Sequence, residues 1–330
     1  MSQKFVESAL AVKDEQFESP LRPKVLSDFM GQETVCEQLK ILIQAAKKRG
    51  DVLSHCLFCG PPGLGKTTLS HIIADSMGTN LVATSGPAIE KPSDLAGILN
   101  SLQKGDIFLI DEIHRLNRSV EEYLYSALED FVLDIVVDSS TNARSVRLPL
   151  NPFTLVGATT RLGLLSAPFR SRFGFSTRLD LYPIETLCKI VIRSGKIFGL
   201  SLDLETAMEV ARRSRGTPRI ANNLIRWIRD FCSIRSEGIV TLPHAKEALN
   251  MLTIDHVGLD EMDIKILETI ETRFSGGPVG LQTLAIAVGE ESHTLEEVYE
   301  PYLIGLGFMQ RTPRGREITP NGKRHIRRNS

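Results

Sequence analysis

Eight residues, Gly60-Pro61-Pro62-Gly63-Leu64-Gly65-Lys66-Thr67, constrain this chain more than any other stretch. They meet G-x-x-x-x-G-K-[ST] at every fixed position. Before them the apolar run Val52 to Cys59 reads as a short buried strand; after them Thr68 to Met77 reads as a helix with Leu69, Ile72 and Ile73 on one face. Strand, glycine-rich loop and helix in that order form a phosphate cradle. Glycines let backbone N–H groups curl around phosphate oxygens, and the helix N-terminus adds a positive dipole end. Lys66 can then reach the β- and γ-phosphates, and the Thr67 hydroxyl can sit on Mg²⁺.

A chain of 330 residues suggests two domains, or three small ones, and 42% hydrophobic with 24% charged residues is an ordinary globular composition. The net charge of −1 gives no overall pull toward a polyanion, so local charge decides. No apolar run is long enough for a membrane span, and Met1 to Glu18 lacks the apolar core of a secretory signal, which makes the cytoplasm the expected compartment. Cys56 and Cys59 form a C-x-x-C pair, but strand positions three apart face opposite ways and no second pair completes a zinc site; buried strand cysteines are expected.

In chain order, residues 1–20 read as mobile and polar, with Pro20 and Pro23 blocking helix, and Gln32 to Lys48 as an amphipathic helix stopped by Gly50. Arg22 could reach a nucleotide or be a solvated surface charge. Leu81 to Thr84 is a second strand, and a helix starts at Pro92 and runs to Leu102. Ile107-Phe108-Leu109-Ile110 then suits a strand buried on both faces of a parallel sheet. Asp111 and Glu112 lie at its carboxyl edge, where open α/β sheets bind ligands. Beside a phosphate loop this is the Walker B arrangement: Asp111 would hold Mg²⁺, and Glu112 would polarise the attacking water. Asn117 to Asp130 is a helix, and His114 before it reads as a polar-network residue. Two β-rich runs within 131–150, joined by the polar turn Asp138 to Ala143, form a hairpin that is either a plain surface element or a partner-binding one. Phe153 to Ala158 is a further buried strand, ending in Thr159-Thr160-Arg161. Arg170 and Arg172 sit in a Pro/Gly-bounded segment where an arginine finger or a structural salt bridge would serve.

From Tyr182 the chain turns helical. Thr217 fits an N-cap and Pro218 the first helical position, which puts Arg219 against the helix dipole and hints at an anionic partner. After residue 254 come three helices, the third over Thr294 to Ile304 with Thr294 and Glu297 as a capping box and Pro301 as a flaw, then a small β-ribbon around Pro313-Arg314-Gly315: a winged-helix pattern. Residues 302–330 hold seven Lys/Arg against one acid, whereas 255–301 hold two against eleven acids. Basic charge on the ribbon and tail, with Arg311, Arg314 and Arg316 on one hairpin, points to a DNA backbone.

The runs Gly60 to Thr68, Ile110-Asp111-Glu112-Ile113-His114-Arg115-Leu116, Gly157-Ala158-Thr159-Thr160-Arg161, Arg170-Ser171-Arg172-Phe173-Gly174 and Gly216-Thr217-Pro218-Arg219 together resemble the AAA+ ATPases, and more narrowly the RuvB family of bacterial Holliday-junction branch-migration motors. The resemblance implies an α/β AAA+ P-loop NTPase domain with a parallel sheet over 1–181, a small helical lid over 182–254 and a winged-helix DNA-binding domain over 255–330. It implies ATP and Mg²⁺ as cofactors and a homohexameric ring on duplex DNA at Holliday junctions, active in recombination and repair. The implied partners are RuvA, docked on the hairpin across 131–150, and RuvC in a resolvasome. Thr160 or Thr159 matches sensor 1, Arg172 the arginine finger acting on the adjacent subunit with Arg170 as the alternative, and Arg219 sensor 2. Leu21, Arg22, Gly63 to Thr68 (Gly63, Leu64, Gly65, Lys66, Thr67, Thr68), Glu129, Asp130, Phe131 and Tyr182 match nucleotide-lining positions, and Arg311 and Arg316 match DNA contacts.

Other activities fit less well. There is no Asn-Lys-x-Asp motif for guanine. Gly86 to Glu90 lacks the aromatic pore loop of a protein unfoldase, and a clamp-loader zinc module is missing. The acidic third helix of the winged-helix pattern is unsuited to reading base edges.

Overall fold

The computed structural model describes residues 15–136 and 145–329. The expected hairpin turn, and most of the N-terminal stretch expected to be mobile, lie outside the described residues. Two compact units form: Arg22–Asp180, and a second that joins the helix ending at Leu21 to the chain from Leu181 onward.

The first unit is built on five parallel strands in the order β2-β3-β6-β1-β7, namely β1 (Cys56–Cys59), β2 (Leu81–Ser85), β3 (Ile107–Asp111), β6 (Thr154–Thr159) and β7 (Phe175–Arg178). The three inner strands are apolar and almost wholly buried, as strands covered on both faces must be. The outer β7, Phe-Ser-Thr-Arg, alternates half-buried with exposed positions. It was not expected from the sequence, because four alternating residues carry little signal. Cys56 and Cys59 are buried in β1, and burial pushes the Cys56 thiol up to about 12. Insertion of β6 between β1 and β3 sets the carboxyl ends of all three side by side, which is what positions the site. His55 pins this layer: Leu155 N–H donates to its Nδ1 at 2.9 Å, which leaves the proton on Nε2, 3.1 Å from Leu128 O. Burial holds this imidazole below its ordinary pKa.

Apart from the sheet, β4 (Val132–Val136) and β5 (Ser145–Pro149) pair antiparallel. Leu133 is buried against the main core and Asp134 meets Arg147 across the strands at 3.2 Å.

The second unit begins with the helix Glu15–Leu21, which corrects the expectation of a mobile stretch there; Pro20 lies inside it. The helix rests on tertiary contacts that the local sequence does not advertise. Phe17 stacks on Phe198 at 5.3 Å and lies under the Arg226 guanidinium at 4.5 Å. Four helices follow, Ile184–Ile197, Leu204–Arg213, Pro218–Arg235 and Leu242–Met251. Then come Glu261–Arg273 and Leu281–Val288, a helical stretch over 292–305, the ribbon β8 (Met309–Thr312) and β9 (Gly315–Ile318), and a helix Pro320–Asn329. The expected tail thus folds: Ile326 joins the core of this region and Lys323 pairs with Glu271 at 2.8 Å.

The stretch over 292–305 departs from the expected capping box. Thr294 has helical φ −63° and ψ −42°, and the helix starts earlier, at Ser292. Pro301 has no N–H to give the preceding turn, and a π turn, Leu295–Tyr299, takes up the mismatch. Between the lid helices and the winged helix, Arg215 makes a fully buried pair with Asp263 at 2.7 Å while lying over the Tyr302 ring at 4.2 Å. Burial pushes Asp263 up to about 8 against the pull of that guanidinium.

Candidate nucleotide site and nucleic-acid interface

The loop after β1 adopts a conformation that only glycine takes readily. Gly60, Gly63 and Gly65 have φ of 140°, 77° and 100°. A Cβ on Gly60 would stand 2.5 Å from Leu179 O, and one on Gly65 would stand 2.9 Å from the Phe29 ring. The helix Lys66–Met77 starts directly from Gly65. Lys66, buried, donates from Nζ to Gly60 O at 2.7 Å and Pro61 O at 2.8 Å, so its charge is held over the loop. Thr67 and Thr68 fall in the first turn of that helix. Arg22 reaches the same helix, its Nη1 3.1 Å from His71 Nε2.

Asp111 closes β3, and Glu112 stands just beyond it in the left-handed region at φ 51°. Glu112 N–H donates to Asp111 Oδ1 at 3.0 Å. Gly86 lies against this turn so closely that a Cβ there would stand 2.5 Å from Glu112 O. Glu112 Oε2 is 3.4 Å from His114 Nδ1, and the same nitrogen is 2.9 Å from Thr159 Oγ1. His114 therefore belongs to a polar network, as the sequence suggested, and ties the end of β3 to the end of β6. Register brings β6 to the loop as well: Thr159 lies beside Cys59, and Gly60 N–H donates to Thr159 O at 3.1 Å.

Thr159, which ends this strand, and Thr160, which follows it, differ. The Thr159 hydroxyl is committed, accepting from Arg161 N–H at 2.9 Å in addition to its histidine contact. The Thr160 hydroxyl is buried without a hydrogen-bond partner among the described residues. A buried orphan hydroxyl beside a glycine cradle and two carboxylates fits a polyphosphate and its metal ion.

Arg172 lies beyond β6. Its Nη1 donates to Pro168 O at 2.5 Å, its Nη2 is 3.1 Å from Glu129 Oε1, and its guanidinium covers the Tyr125 ring at 4.1 Å. Its Nε is buried with no partner among the described residues. Arg170 is exposed. Asp130 and Phe131 follow Glu129 where its helix turns into β4, and Phe131 packs edge-on to Phe153 at 5.9 Å.

Within the second unit, Arg219 does meet an anion: its Nε is 2.9 Å from Glu18 Oε1, a partner with no sequence signal. Tyr182 and Leu21 are buried, Tyr182 N–H donates to Gly216 O at 2.8 Å, and Leu21 O accepts from Arg193 Nη1 at 2.7 Å. Thr217 takes the N-cap position but its hydroxyl donates to Arg215 O at 3.2 Å instead of capping.

On the ribbon, Arg311 and Arg316 lie directly across from each other, an arrangement that like charges alone would disfavour. The buried Glu300 resolves it. Arg311 Nε donates to Glu300 Oε2 at 2.7 Å and Arg316 Nε donates to Oε1 at 2.6 Å. Arg316 keeps only 15% of its side chain exposed, whereas Arg311 keeps 46% and Arg314 is exposed at the tip. Arg311 and Arg314 thus present the accessible charge, and Arg316 is largely spent on the glutamate.

Comparison with known proteins agrees along the whole chain. Residues 21–179 match the family model of the Holliday junction DNA helicase RuvB P-loop domain, 182–255 the RuvB AAA lid domain and 256–327 the RuvB C-terminal winged helix domain. The Holliday junction branch migration complex subunit RuvB of Protochlamydia amoebophila is 57% identical over 326 residues, 99% of this chain and 98% of the relative. That of Prosthecochloris aestuarii is 57% identical over 311 residues, 94% and 91% of the two chains. Among solved structures, the Thermotoga maritima RuvB Holliday junction branch migration motor aligns with a TM-score of 0.85 at 49% identity, covering 93% of this chain and 98% of that one.

Proposed function

The chain belongs to the RuvB family, AAA+ P-loop ATPases that drive Holliday-junction branch migration, and on that premise we propose how its own residues do the work. What most supports the reading is the convergence of three phosphate-handling groups at adjacent strand ends: the loop after β1, Asp111 and Glu112 after β3, and Thr160 after β6. The loop amides and Lys66 bind the β- and γ-phosphates of ATP. Thr67 and Asp111 would hold Mg²⁺, which supplies charge neutralisation on the transferring phosphoryl group. Glu112, with its carboxylate steadied by His114, orients and polarises the attacking water. Thr160, not Thr159, is sensor 1, since only its hydroxyl is uncommitted.

Arg172 acts as the arginine finger on the site of the adjacent subunit in a homohexameric ring, and Glu129, Asp130 and Phe131 line the nucleotide. Arg219 is sensor 2, exchanging Glu18 for the γ-phosphate, with Leu21, Arg22 and Tyr182 lining the nucleotide. The ribbon, through Arg311 and Arg314, holds phosphates of duplex DNA, and Arg316 supports them. RuvA docks on the β4–β5 hairpin, and RuvC joins the assembly to resolve the junction. No helix among the described residues is long and apolar enough to cross a membrane, and we place the protein in the cytoplasm with its DNA.

Dissociation of a synthetic four-way junction, with ATP and with or without RuvA, tests the reading. ATP-dependent strand movement is expected. Lys66→Ala should abolish it, and Glu112→Gln should bind ATP without turnover. No strand movement under either condition would remove the motor assignment, and near-normal turnover in Glu112→Gln would remove that residue's role.

A further inference from the structure

The helix Arg118–Glu129 sets Glu121, Tyr125 and Glu129 at intervals of four, on one face. The segment carrying Arg172 rests on that face at several points. The Tyr125 ring lies under the Arg172 guanidinium, 4.1 Å from ring centroid to Cζ. Glu129 holds Arg172 Nη2 at 3.1 Å. The Tyr125 hydroxyl donates to Glu121 Oε1 at 2.9 Å and lies 3.1 Å from Ser166 Oγ. Ser166 in turn donates to Glu121 and caps the short helix Ala167–Arg170, accepting from Phe169 N–H at 3.2 Å. Tyr125 therefore grips the segment at both ends: its face at the guanidinium, its hydroxyl at the cap.

An arginine side chain has many rotamers, and a finger that must meet a developing charge in a neighbouring subunit works only from one of them. A flat aromatic face is well suited to hold a guanidinium: it fixes the plane while the edge N–H groups, here on Pro168 O and Glu129, can exchange those partners for a neighbour's phosphate. We propose that Tyr125 is a positioning residue for the arginine finger, holding Arg172 in the orientation in which it serves the adjacent subunit. Because it rests on the reading of Arg172 as a finger acting in trans, its test carries a control for that reading.

The variants are Tyr125→Leu, which removes the ring face, and Tyr125→Phe, which keeps it. Stacked cations are held strongly enough that Tyr125→Leu should lower kcat roughly two- to thirty-fold. ATP affinity, read with a fluorescent ATP analogue, should stay unchanged, and Tyr125→Phe should recover most of the turnover. Mixed rings give the deciding readout. Tyr125→Leu subunits, whose own nucleotide sites are intact, are mixed with Lys66→Ala subunits, whose fingers are intact, and turnover per functional site should rise. If Tyr125→Leu melts early, Tyr125→Met, which keeps the bulk and loses the aromatic face, takes its place. Mixing Arg172→Ala with Lys66→Ala is the control. If the control recovers activity and the Tyr125→Leu mixture does not, or if Tyr125→Leu turns over like wild type, the positioning role is overturned. If the control does not recover either, the trans-finger reading falls and the proposal falls with it.

Discussion

Gly86→Ala separates the geometry of the Glu112 turn, proposed above as catalytic, from nucleotide binding. Gly86 is buried and lies against the backbone of Glu112, outside the phosphate loop. The added methyl would stand 2.5 Å from Glu112 O and 3.3 Å from Leu116 N, whereas real Cβ atoms essentially never come closer than 3.0 Å. Both walls are backbone, so the methyl cannot be relieved by a side-chain rotation, and the Glu112 turn must move by roughly half an ångström or more. Glu112 has little slack, since φ of 51° already places it in a sparsely populated region. A misplacement of about 1 Å costs roughly a hundred-fold in rate, so kcat should fall about ten- to a hundred-fold. Overpacking should also lower stability by about 1–3 kcal/mol. The loop, Lys66 and Thr67 are untouched, so the dissociation constant for ATP should hold. Steady-state ATPase in the presence of DNA gives kcat, and titration with a fluorescent ATP analogue gives the affinity. A folded Gly86→Ala protein whose kcat lies within a factor of about two of wild type would refute the claim that Glu112 placement limits turnover.

Glu300→Gln should leave two facing arginines without their shared carboxylate and lower the stability of the winged helix by about 3 kcal/mol, the low end for a buried pair because Arg311 is half exposed, read by denaturant unfolding; an unchanged midpoint would mean that the pairing contributes nothing. His55 has a folded pKa below its unfolded value of 6.5, so its contribution to stability is in full above that value and is lost as pH falls through the folded pKa. Unfolding midpoints should therefore drop on acidification, and His55→Gln should flatten that slope; an equal slope in the variant would assign the loss elsewhere. Cys56, fully buried with its thiol pushed up to about 12, should resist iodoacetamide in the native protein while the half-buried Cys36 reacts first, as peptide mapping would reveal.

The features legible in the sequence are those fixed by short-range spacing. The phosphate loop, Asp111 and Glu112 follow from a motif and an apolar run, because cradle and strand end each need particular residues a fixed distance apart. The inner strands were legible for the same reason: burial on both faces writes itself as an unbroken apolar run. What escaped depends on contacts between residues far apart in the chain. The Glu15–Leu21 helix is held by Phe198 and pairs through Glu18 with Arg219, and nothing near residue 18 announces that. Tyr125 meets Arg172 only because the strand order brings their segments together. The helix Pro320–Asn329 carries a single large apolar residue, Ile326, too few to show as a period. Around Pro301 the Thr294 and Glu297 spacing of a capping box is present, yet the helix starts earlier, at Ser292, because the chain absorbs the proline with a π turn.

The acidic stretch beneath the ribbon bears on how such a protein moves. In helix-turn-helix folds the recognition helix enters the major groove and fixes the protein to a preferred sequence. Here the corresponding helical residues, 292–305, carry Glu296, Glu297 and Glu300 and no Lys or Arg. Glu300 is turned inward to brace the arginines, and Glu296 faces Arg311 at 3.4 Å. That helix therefore offers a groove no Lys or Arg of its own, and under the reading proposed above grip is left to the guanidinium groups of the ribbon, which meet phosphates that are alike at every base pair. On that reading the binding energy would be nearly level along the duplex: no site would act as a brake, and none would have to be climbed out of at the expense of ATP. Indifference to sequence, which branch migration through arbitrary DNA requires, would then be written into Glu296 and Glu300 as much as into the arginines they hold.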